Sequence, residues 1–310
     1  MKKAIVTGGA GFIGSHIVEK FQEGGYEVQV IDDLSSGQKE NLRDGVKLHE
    51  IDIRSDAAAK VLQDEAPDVL VHCAAQMSVR VSMEKPVFDT EVNVVGVVNL
   101  LHAFRGRKYP FFVFLSTGGA IYGEQETFPA SEDHPVAANS VYGTAKRVGE
   151  MYLDLWAREM GLDYAALRLG NVYGPRQNPH GEAGVVAIFN KILLEGGTPK
   201  IFGSGEQTRD FVFVKDVVRA VWEVAERRQK GIFNIGTAKE TSVNKLFQFV
   251  CSSLGKDQEA EYHPAKEGEQ MRSCIDPSHA GEVFGWSPSV TVEDGLKITS
   301  DWFREQVGKA

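Results

Sequence analysis

The 310-residue chain is poor in cysteine: Cys73, Cys251 and Cys274 are odd in number, widely separated and without Cys-x-x-Cys spacing. That excludes a disulfide framework and a cysteine zinc site, and it fits a reducing cytoplasm. Basic charge is short as well, with 34 Lys and Arg against 43 Asp and Glu, a net charge of −9. Neutralising a nucleic-acid backbone needs a basic surface, so nucleic acid is not the expected partner and any bound phosphate must meet a local site. No apolar run reaches the roughly 18 residues of a membrane span, and Met1-Lys2-Lys3 leads into a short apolar strand rather than a secretory core, so no membrane partner is expected. The eight histidines form no His-x-x-x-His or His/carboxylate group, and no metal is expected. Internal repeats and low-complexity segments are missing too.

What is present is a 42% apolar fraction, enough for a substantial core, arranged as short β-branched runs alternating with helical periodicity. Strands are expected at Ala4 to Thr7, Glu27 to Ile31, Val46 to Ile51, Asp68 to His72, Phe111 to Ser116 and Tyr164 to Leu169, the pattern of a parallel sheet covered on both faces. Between them, residues such as Ile13, Ile17 and Phe21 recur at helical spacing. The Gly/Pro/Asn-rich stretch Gly170 to Gly184 is expected to hold turns and loops. A strand at Phe211 to Val214, a helix at Asp216 to Arg227 and a strand at Ile232 to Ile235 follow, the last placed to rejoin the first sheet. The fold class is α/β: a Rossmann-type doubly wound parallel sheet from residues 1–169 and about 215–236, with a smaller C-terminal α/β substrate domain from about 170–214 and 237–310.

Thr7-Gly8-Gly9-Ala10-Gly11-Phe12-Ile13-Gly14 follows the first strand and opens a helix, the context in which a glycine pattern signals a dinucleotide. Gly8 permits a tight turn, Gly11 lets backbone approach a pyrophosphate, and Gly14 lets helix and strand pack closely. The N–H groups and dipole of the helix end hold a diphosphate without a cation, which suits an acidic protein. Asp32 ends the second strand 18 residues after Gly14, where a carboxylate accepts from an adenosine ribose and repels a 2′-phosphate. NAD rather than NADP is the expected cofactor. Asp52 and Ile53, ending the third strand, read either as flanking adenine or as an ordinary turn.

Tyr142 and Lys146, in Val141-Tyr142-Gly143-Thr144-Ala145-Lys146, share one helical face. Alone, that spacing describes a surface pair; beside a nicotinamide it is an acid/base unit that moves an alcohol proton while the carbon exchanges a hydride. To act near neutrality the phenol must fall by about three pH units, roughly 4 kcal/mol. One cation at about 4 Å in an effective dielectric near 20 supplies about as much, so Lys146 is expected to lower Tyr142.

Six segments then give nearly the whole chain a resemblance: Asp32-Asp33-Leu-Ser-Ser-Gly37, His72-Cys-Ala-Ala-Gln76, Ser116-Thr-Gly-Gly-Ala-Ile-Tyr-Gly123, Asn171-Val-Tyr-Gly-Pro-Arg-Gln177, Gly181-Glu-Ala-Gly-Val-Val-Ala-Ile-Phe189 and Arg209-Asp-Phe-Val-Phe-Val214. With the glycine fingerprint and Tyr142/Lys146, the chain resembles the extended short-chain dehydrogenase/reductase superfamily and, within it, the UDP-glucose (UDP-galactose) 4-epimerases. The resemblance implies a resident NAD, a UDP-hexose in the cleft between the domains, Tyr142 as base toward the sugar 4-hydroxyl and Lys146 on the nicotinamide ribose. To the cofactor set it adds Phe12, Ile13, Asp33, Ser36, Gly37, Ala74, Ala75 and Ser116, with Gln76 beside the nicotinamide ribose and Asn93 as a buried amide near the catalytic helix. For the substrate it implies Asn171 and Arg209 on the diphosphate and Phe202 against the uracil, with Ser82, Val185, Val186, Lys266 and Arg272 also in the substrate set. Arg209 also reads as a local ion pair with Asp210, and Phe202 as core.

The chain departs from the family where a Ser or Thr usually hydrogen-bonds the 4-hydroxyl, because that position is Gly118. Thr117 is the preferred substitute, with Ser116 or direct action by Tyr142 as alternatives. Lys266 stands where an Arg is usual, which keeps the charge and loses the fork; Arg272 is placed to compensate. Gly118-Gly119 separates the chain from sugar-nucleotide 4,6-dehydratases and UDP-glucuronate decarboxylases, which the same alignment gives carboxylates here. Ser273 falls where a tyrosine blocks N-acetyl sugars, so the UDP-N-acetylhexosamine pair is expected as substrate beside the glucose/galactose pair. Two further readings stay open: another NAD-dependent nucleotide-sugar epimerase or oxidoreductase built on the same pair, and an NAD-binding regulatory protein in which the pair is idle. Surplus apolar surface on helices expected near Pro86 to Phe104 and Tyr142 to Met160, including Val94, Val98, Leu101, Val148 and Leu155, points to a homodimer through a four-helix bundle, although sheet packing accounts for it equally.

Overall fold

Ala4, Ile5 and Val6 are at most 1% exposed, as a strand covered on both faces requires, and they form the middle of β1 (Lys3–Thr7). β2 (Glu27–Asp32), β3 (Lys47–Glu50), β4 (Val69–His72), β5 (Phe111–Thr117) and β6 (Tyr164–Leu169) follow close to their expected bounds. The chain then adds β7 (Asn171–Tyr173), β8 (Lys200–Phe202), β9 (Thr208–Phe213), β10 (Gly231–Ile235), β11 (Glu240–Ser242) and β12 (Glu261–His263). The computed structural model, which describes residues 1–179, 184–265 and 270–308, sets seven of these in one parallel sheet ordered β10-β6-β5-β4-β1-β2-β3. From β1 the chain builds outward through β2 and β3 on one side and through β4, β5 and β6 on the other. The crevice at this switch point opens at the carboxyl ends of β1 and β4. β10, the strand expected at 232–235, pairs along the length of β6 and closes that edge.

Alternate side chains feed two apolar layers. Ala4, Val6, Val30, Val71 and Val113 pack with Ile17 and Phe21 of the Phe12–Glu23 helix and with Val217 and Val221 of the Val214–Arg227 helix. Ile5, Ile31, Leu70, Phe112 and Phe114 pack with Leu62, Leu100 and Leu153 from the helices Asp56–Glu65, Gly96–His102 and Val141–Met160. Burial of side chains this size stabilises by about 1.5–3 kcal/mol each, which fixes the Val141–Met160 helix against β5 and β6. Leu101 belongs to this second layer and is wholly buried, so at that position sheet packing, not a dimer face, explains the apolar residue. Val94, Val98 and Val148 keep partial exposure, and Leu155 is 39% exposed.

The helix expected near Pro86 to Phe104 runs unbroken as Pro86–Thr90, a wide π-type stretch Glu91–Val95 and Gly96–His102, and the wide stretch carries Asn93, whose side chain turns inward. One expectation needs correction. The stretch Gly170 to Gly184 is not all loop: it holds β7, paired in parallel with β9, because three residues are too few for strand alternation to register. The sheets β11-β9-β7 and β12-β8, with helices Val185–Leu194, Val243–Leu254, Ser278–Phe284 and Val292–Val307, form the smaller α/β part. Among the described residues no helix is long and apolar enough to cross a membrane, and no group of three or more His, Cys, Asp or Glu is placed to hold a metal.

Candidate active site

Gly8 turns the chain out of β1 at φ 68°, its N–H donating to Ile31 O at 2.8 Å. An added Cβ at Gly14 would lie 2.1 Å from Gly8 O, so the helix seats on this turn only without a side chain there. Gly11 caps that helix with no side-chain hydrogen bond, which leaves first-turn N–H groups for a ligand. Asp32 is 6% exposed and accepts from the Ala10 and Leu34 N–H groups at 2.9 Å each. Burial pushes its carboxyl above the usual range, against the pull of those two bonds.

A cavity of about 570 Å³ runs from Gly8 and the Gly11, Phe12, Ile13, Gly14 turn, past Asp32, Asp33, Ser36, Asp52 and Ile53, to Ala74, Ala75, Gln76, Ser116, Tyr142 and Lys146. Of the residues expected to hold the cofactor, two do not line it. Gly37 lies behind Asp32, where an added Cβ would press on Oδ1 at 2.8 Å. Asn93 bonds Gln76, accepting its N–H at 3.1 Å and donating to its carbonyl at 2.8 Å. Leu115 and Leu169 line the wall unannounced by any motif, as does Arg54, whose guanidinium holds Asp52 below the usual carboxylate range; Cys73, inside the His72 to Gln76 segment, lines it too. A carboxylate acceptor, a bare helix terminus and a glycine-cleared turn fit NAD.

The Val141–Met160 helix, which carries Tyr142 and Lys146, is anchored at its first turn. Ser140 Oγ accepts from Gly143 N–H at 3.1 Å, and wholly buried Ser82 accepts from Tyr142 N–H at 3.2 Å while donating to Val79 O. Ser82 therefore positions Tyr142 rather than offering a hydroxyl to a substrate. Lys146 is 3% exposed, donates to Leu115 O at 2.9 Å and has its Nζ 5.9 Å from the Tyr142 ring centre. Burial lowers its ammonium to about 8. Tyr142 shifts against expectation: burial first, and the Asp89 carboxylate second, push the phenol up to about 12, with the Thr117 hydroxyl pulling the other way. The cost of dehydrating a phenolate, with the like charge of Asp89, exceeds what the Thr117 hydroxyl returns.

A buried polar network behind this cluster escaped the sequence reading. Glu150, one turn past Lys146, accepts from Arg168 Nε at 3.0 Å and Nη2 at 2.8 Å, and from Ser116 Oγ at 2.7 Å. Arg168 also donates to Tyr122 Oη at 2.9 Å and Glu132 O at 3.2 Å, and Tyr122 in turn donates to Asn234 Oδ1 at 2.7 Å. The one signal was an arginine inside the apolar strand Tyr164 to Leu169. Ser116 is thereby committed to Glu150, which leaves Thr117 as the hydroxyl on Tyr142. Gly118 has its own cause: an added Cβ would lie 2.8 Å from Ile275 Cδ1, so isoleucine fills the space beside it.

The residues expected on the substrate gather around β9 and outside this cavity. Asn171 is exposed on β7 beside β9, and Arg209, on β9, donates to Thr208 O. Asp210 accepts from Thr237, Ala238 and Ile275 instead, so the local ion-pair reading of Arg209 falls away. Phe202 lies on β8 with its ring 5.6 Å from that of His263. Ser273, 2% exposed, donates its N–H to Thr208 O, next to Arg272, which grips Glu240 through two bonds and covers the Phe128 ring at 3.8 Å. Val185 is partly buried, but Val186 is core at 1% exposure and is not open to a ligand. Lys266 lies outside the described residues.

The family model described as the NAD dependent epimerase/dehydratase family matches residues 4–236. A UDP-glucose 4-epimerase of Mycolicibacterium smegmatis is 43% identical over 310 residues, 98% of this chain and 99% of that one. The crystal structure of the UDP-glucose 4-epimerase of Thermotoga maritima with UDP-glucose aligns with 98% of this chain and 99% of its own, at TM-score 0.95 and 45% identity. That of Thermus thermophilus, in complex with NAD, aligns with 97% of this chain and 99% of its own, at TM-score 0.91 and 40% identity.

Proposed function

The chain belongs to the NAD dependent epimerase/dehydratase family and, within it, to the UDP-glucose 4-epimerases, and from that membership we propose that it interconverts UDP-hexoses at C4, reversibly and through a 4-keto intermediate. The observation that carries the reading is the placement of Tyr142 and Lys146 on the wall of the same cavity as the glycine turn and Asp32. The N–H groups after Gly11 would hold the NAD diphosphate, Asp32 the adenosine ribose and Lys146 the nicotinamide ribose. When bound, NAD supplies the acceptor for the C4 hydride and a positive charge beside the phenol.

Tyr142 Oη takes the 4-hydroxyl proton as C4 becomes a ketone, and returns it when the opposite face is reduced. Bringing the phenol from about 12 to neutrality takes roughly 7 kcal/mol, more than Lys146 alone provides, so the reading requires both cations. Thr117, whose hydroxyl pulls the Tyr142 phenol down, is the proton relay in place of a hydroxyl at Gly118. Gly118-Gly119 offers no carboxylate for elimination or decarboxylation, which favours simple epimerisation. Asn171, Arg209 and Phe202 anchor the nucleotide, and a remote anchor retains the ketose while leaving its ring free to turn. The resemblance, which sets Ser273 where a tyrosine would block an acetamido group, supports extending the range to the UDP-N-acetylhexosamine pair. Unpaired Cys73, Cys251 and Cys274 suit the cytoplasm. Exposed apolar residues beside the catalytic helix, Met83 at 58%, Val95 at 51% and Met151 at 56%, support a homodimer; a monomer by light scattering would refute it. For the reaction, Tyr142→Phe should abolish C4 epimerisation of UDP-glucose, followed by product NMR, with NAD still bound. Near-wild-type turnover overturns the assignment, and net accumulation of NADH would mark a dehydrogenase instead.

A further inference from the structure

Asp89 is a charged group that this mechanism leaves unused. It lies in the Pro86–Thr90 helix and is 0% exposed. Its Oδ2 accepts from Gln76 Nε2 at 2.7 Å and Asn93 Nδ2 at 3.0 Å, while its Oδ1 has no hydrogen-bond partner. Both partners are neutral amides, and among the described residues no cation forms an ion pair with it. An asparagine would receive the same two donors, so bracing Gln76 does not account for the charge. An unpaired buried carboxylate is costly. This one also works against the base, since it raises the Tyr142 phenol.

What gains from an anion here must be cationic. Lys146 gains, its ammonium being favoured by Asp89. So does any positive charge in the cavity beyond Gln76, which Gln76 itself lines. The two redox forms of NAD differ by one positive charge on the nicotinamide. We propose that Asp89 sets the redox poise of the bound cofactor: its fixed negative charge, one hydrogen bond behind Gln76, favours the oxidised cationic ring over the reduced neutral one. With NAD bound, reduction would deliver two electrons and a proton as hydride from the sugar C4, the 4-hydroxyl proton would pass to Tyr142 and the ring would lose its charge, so a neighbouring anion would oppose that direction and favour return of the hydride to the ketose. An enzyme whose cofactor must be oxidised at the end of every turnover gains from this bias.

The proposal rests on NAD as the resident cofactor. Asp89→Asn keeps an oxygen for Gln76 and Asn93 and removes the charge. Purified holoenzyme is equilibrated with mediator dyes at stepped potentials, and the reduced nicotinamide is read by its near-ultraviolet absorbance. At a fixed potential the ratio of reduced to oxidised cofactor should rise about fivefold over wild type. Equal ratios overturn the proposal, because a merely structural Asp89 would leave the poise unmoved. Asp89→Ser, also neutral, must shift the same way and serves if the asparagine variant does not fold. A wild-type protein that gives no nicotinamide band on full reduction overturns the NAD reading and this proposal together, whereas a band with unchanged poise overturns this proposal alone.

Discussion

Glu150→Gln would leave the Arg168 guanidinium, its side chain 3% exposed, without a counter-charge while barely altering shape. Glu150 now receives four donors, two from Arg168, one from Ser116 Oγ and one from Arg147 Nη1. An amide has one acceptor oxygen, so its NH₂ group must face an Arg168 nitrogen either way: Nε together with the Ser116 hydroxyl, or Nη2 together with Arg147. Breaking a buried pair from one side costs about 3–5 kcal/mol. The bonds from Arg168 to Tyr122 and to Glu132 O survive, which places the expected loss toward the lower figure. At about 2 °C per kcal/mol for a chain of this length, the melting temperature should fall by roughly 6–10 °C in scanning calorimetry. The double change Glu150→Leu with Arg168→Met removes both charges and should recover much of that loss, since apolar replacement of a whole buried pair is often neutral. A single variant melting within about 2 °C of wild type would refute the claim that this pair clamps the catalytic helix to β6.

Thr117→Val should lower kcat on the order of 10²-fold with NAD content unchanged, and should move the acidic limb of the pH profile upward because the bond that lowers Tyr142 is lost; unchanged kcat and profile would remove Thr117 from the mechanism. Lys146 gives a stability prediction. Its ammonium has a folded value of about 8 against 10.5 for the free side chain. Below pH 8 both folded and unfolded chains hold that proton, and between 8 and 10.5 only the unfolded chain does. Its contribution to stability therefore rises with pH across that window. Urea unfolding of wild type against Lys146→Met from pH 7 to 10 should show a wild-type gain that the variant lacks; parallel curves would contradict the buried ammonium. Ser273→Tyr should lower kcat/KM for UDP-N-acetylglucosamine and spare UDP-glucose, and equal values for the acetylated sugar in both proteins would end the steric argument.

The long strands and the glycine turn were legible because their causes are local: β-branched runs of buried strand, and a turn whose geometry only glycine meets. Tyr142 and Lys146 were legible for the same reason, one helical face holding both. What escaped depends on distant partners. Glu150 and Arg168 look like ordinary charges until β6 is laid against the catalytic helix. Ser82 looks like a loop hydroxyl until its segment is packed under the first turn of that helix. Val186 sits inside a motif read as substrate contact, yet its side chain is core, because a helix lining a cleft must also bury its other face. The pKa of Tyr142 was misjudged in sign since burial, which a sequence does not display, outweighs a neighbour that it does.

The late arrival of β10 has a consequence for synthesis. A ribosome that has completed β6 at Leu169 must add 62 further residues before Gly231 appears, which takes roughly 3–12 s at ordinary elongation rates. Throughout that interval the apolar strand Tyr164–Leu169 is an open edge on a half-built sheet, the kind of template on which nascent chains join to one another. A gene cut after residue 170 would make that state permanent, so the fragment carrying the whole cofactor cradle should be the one that precipitates, and supplying β10 on the same polypeptide, which pairs the open edge of β6, should keep the cradle in solution.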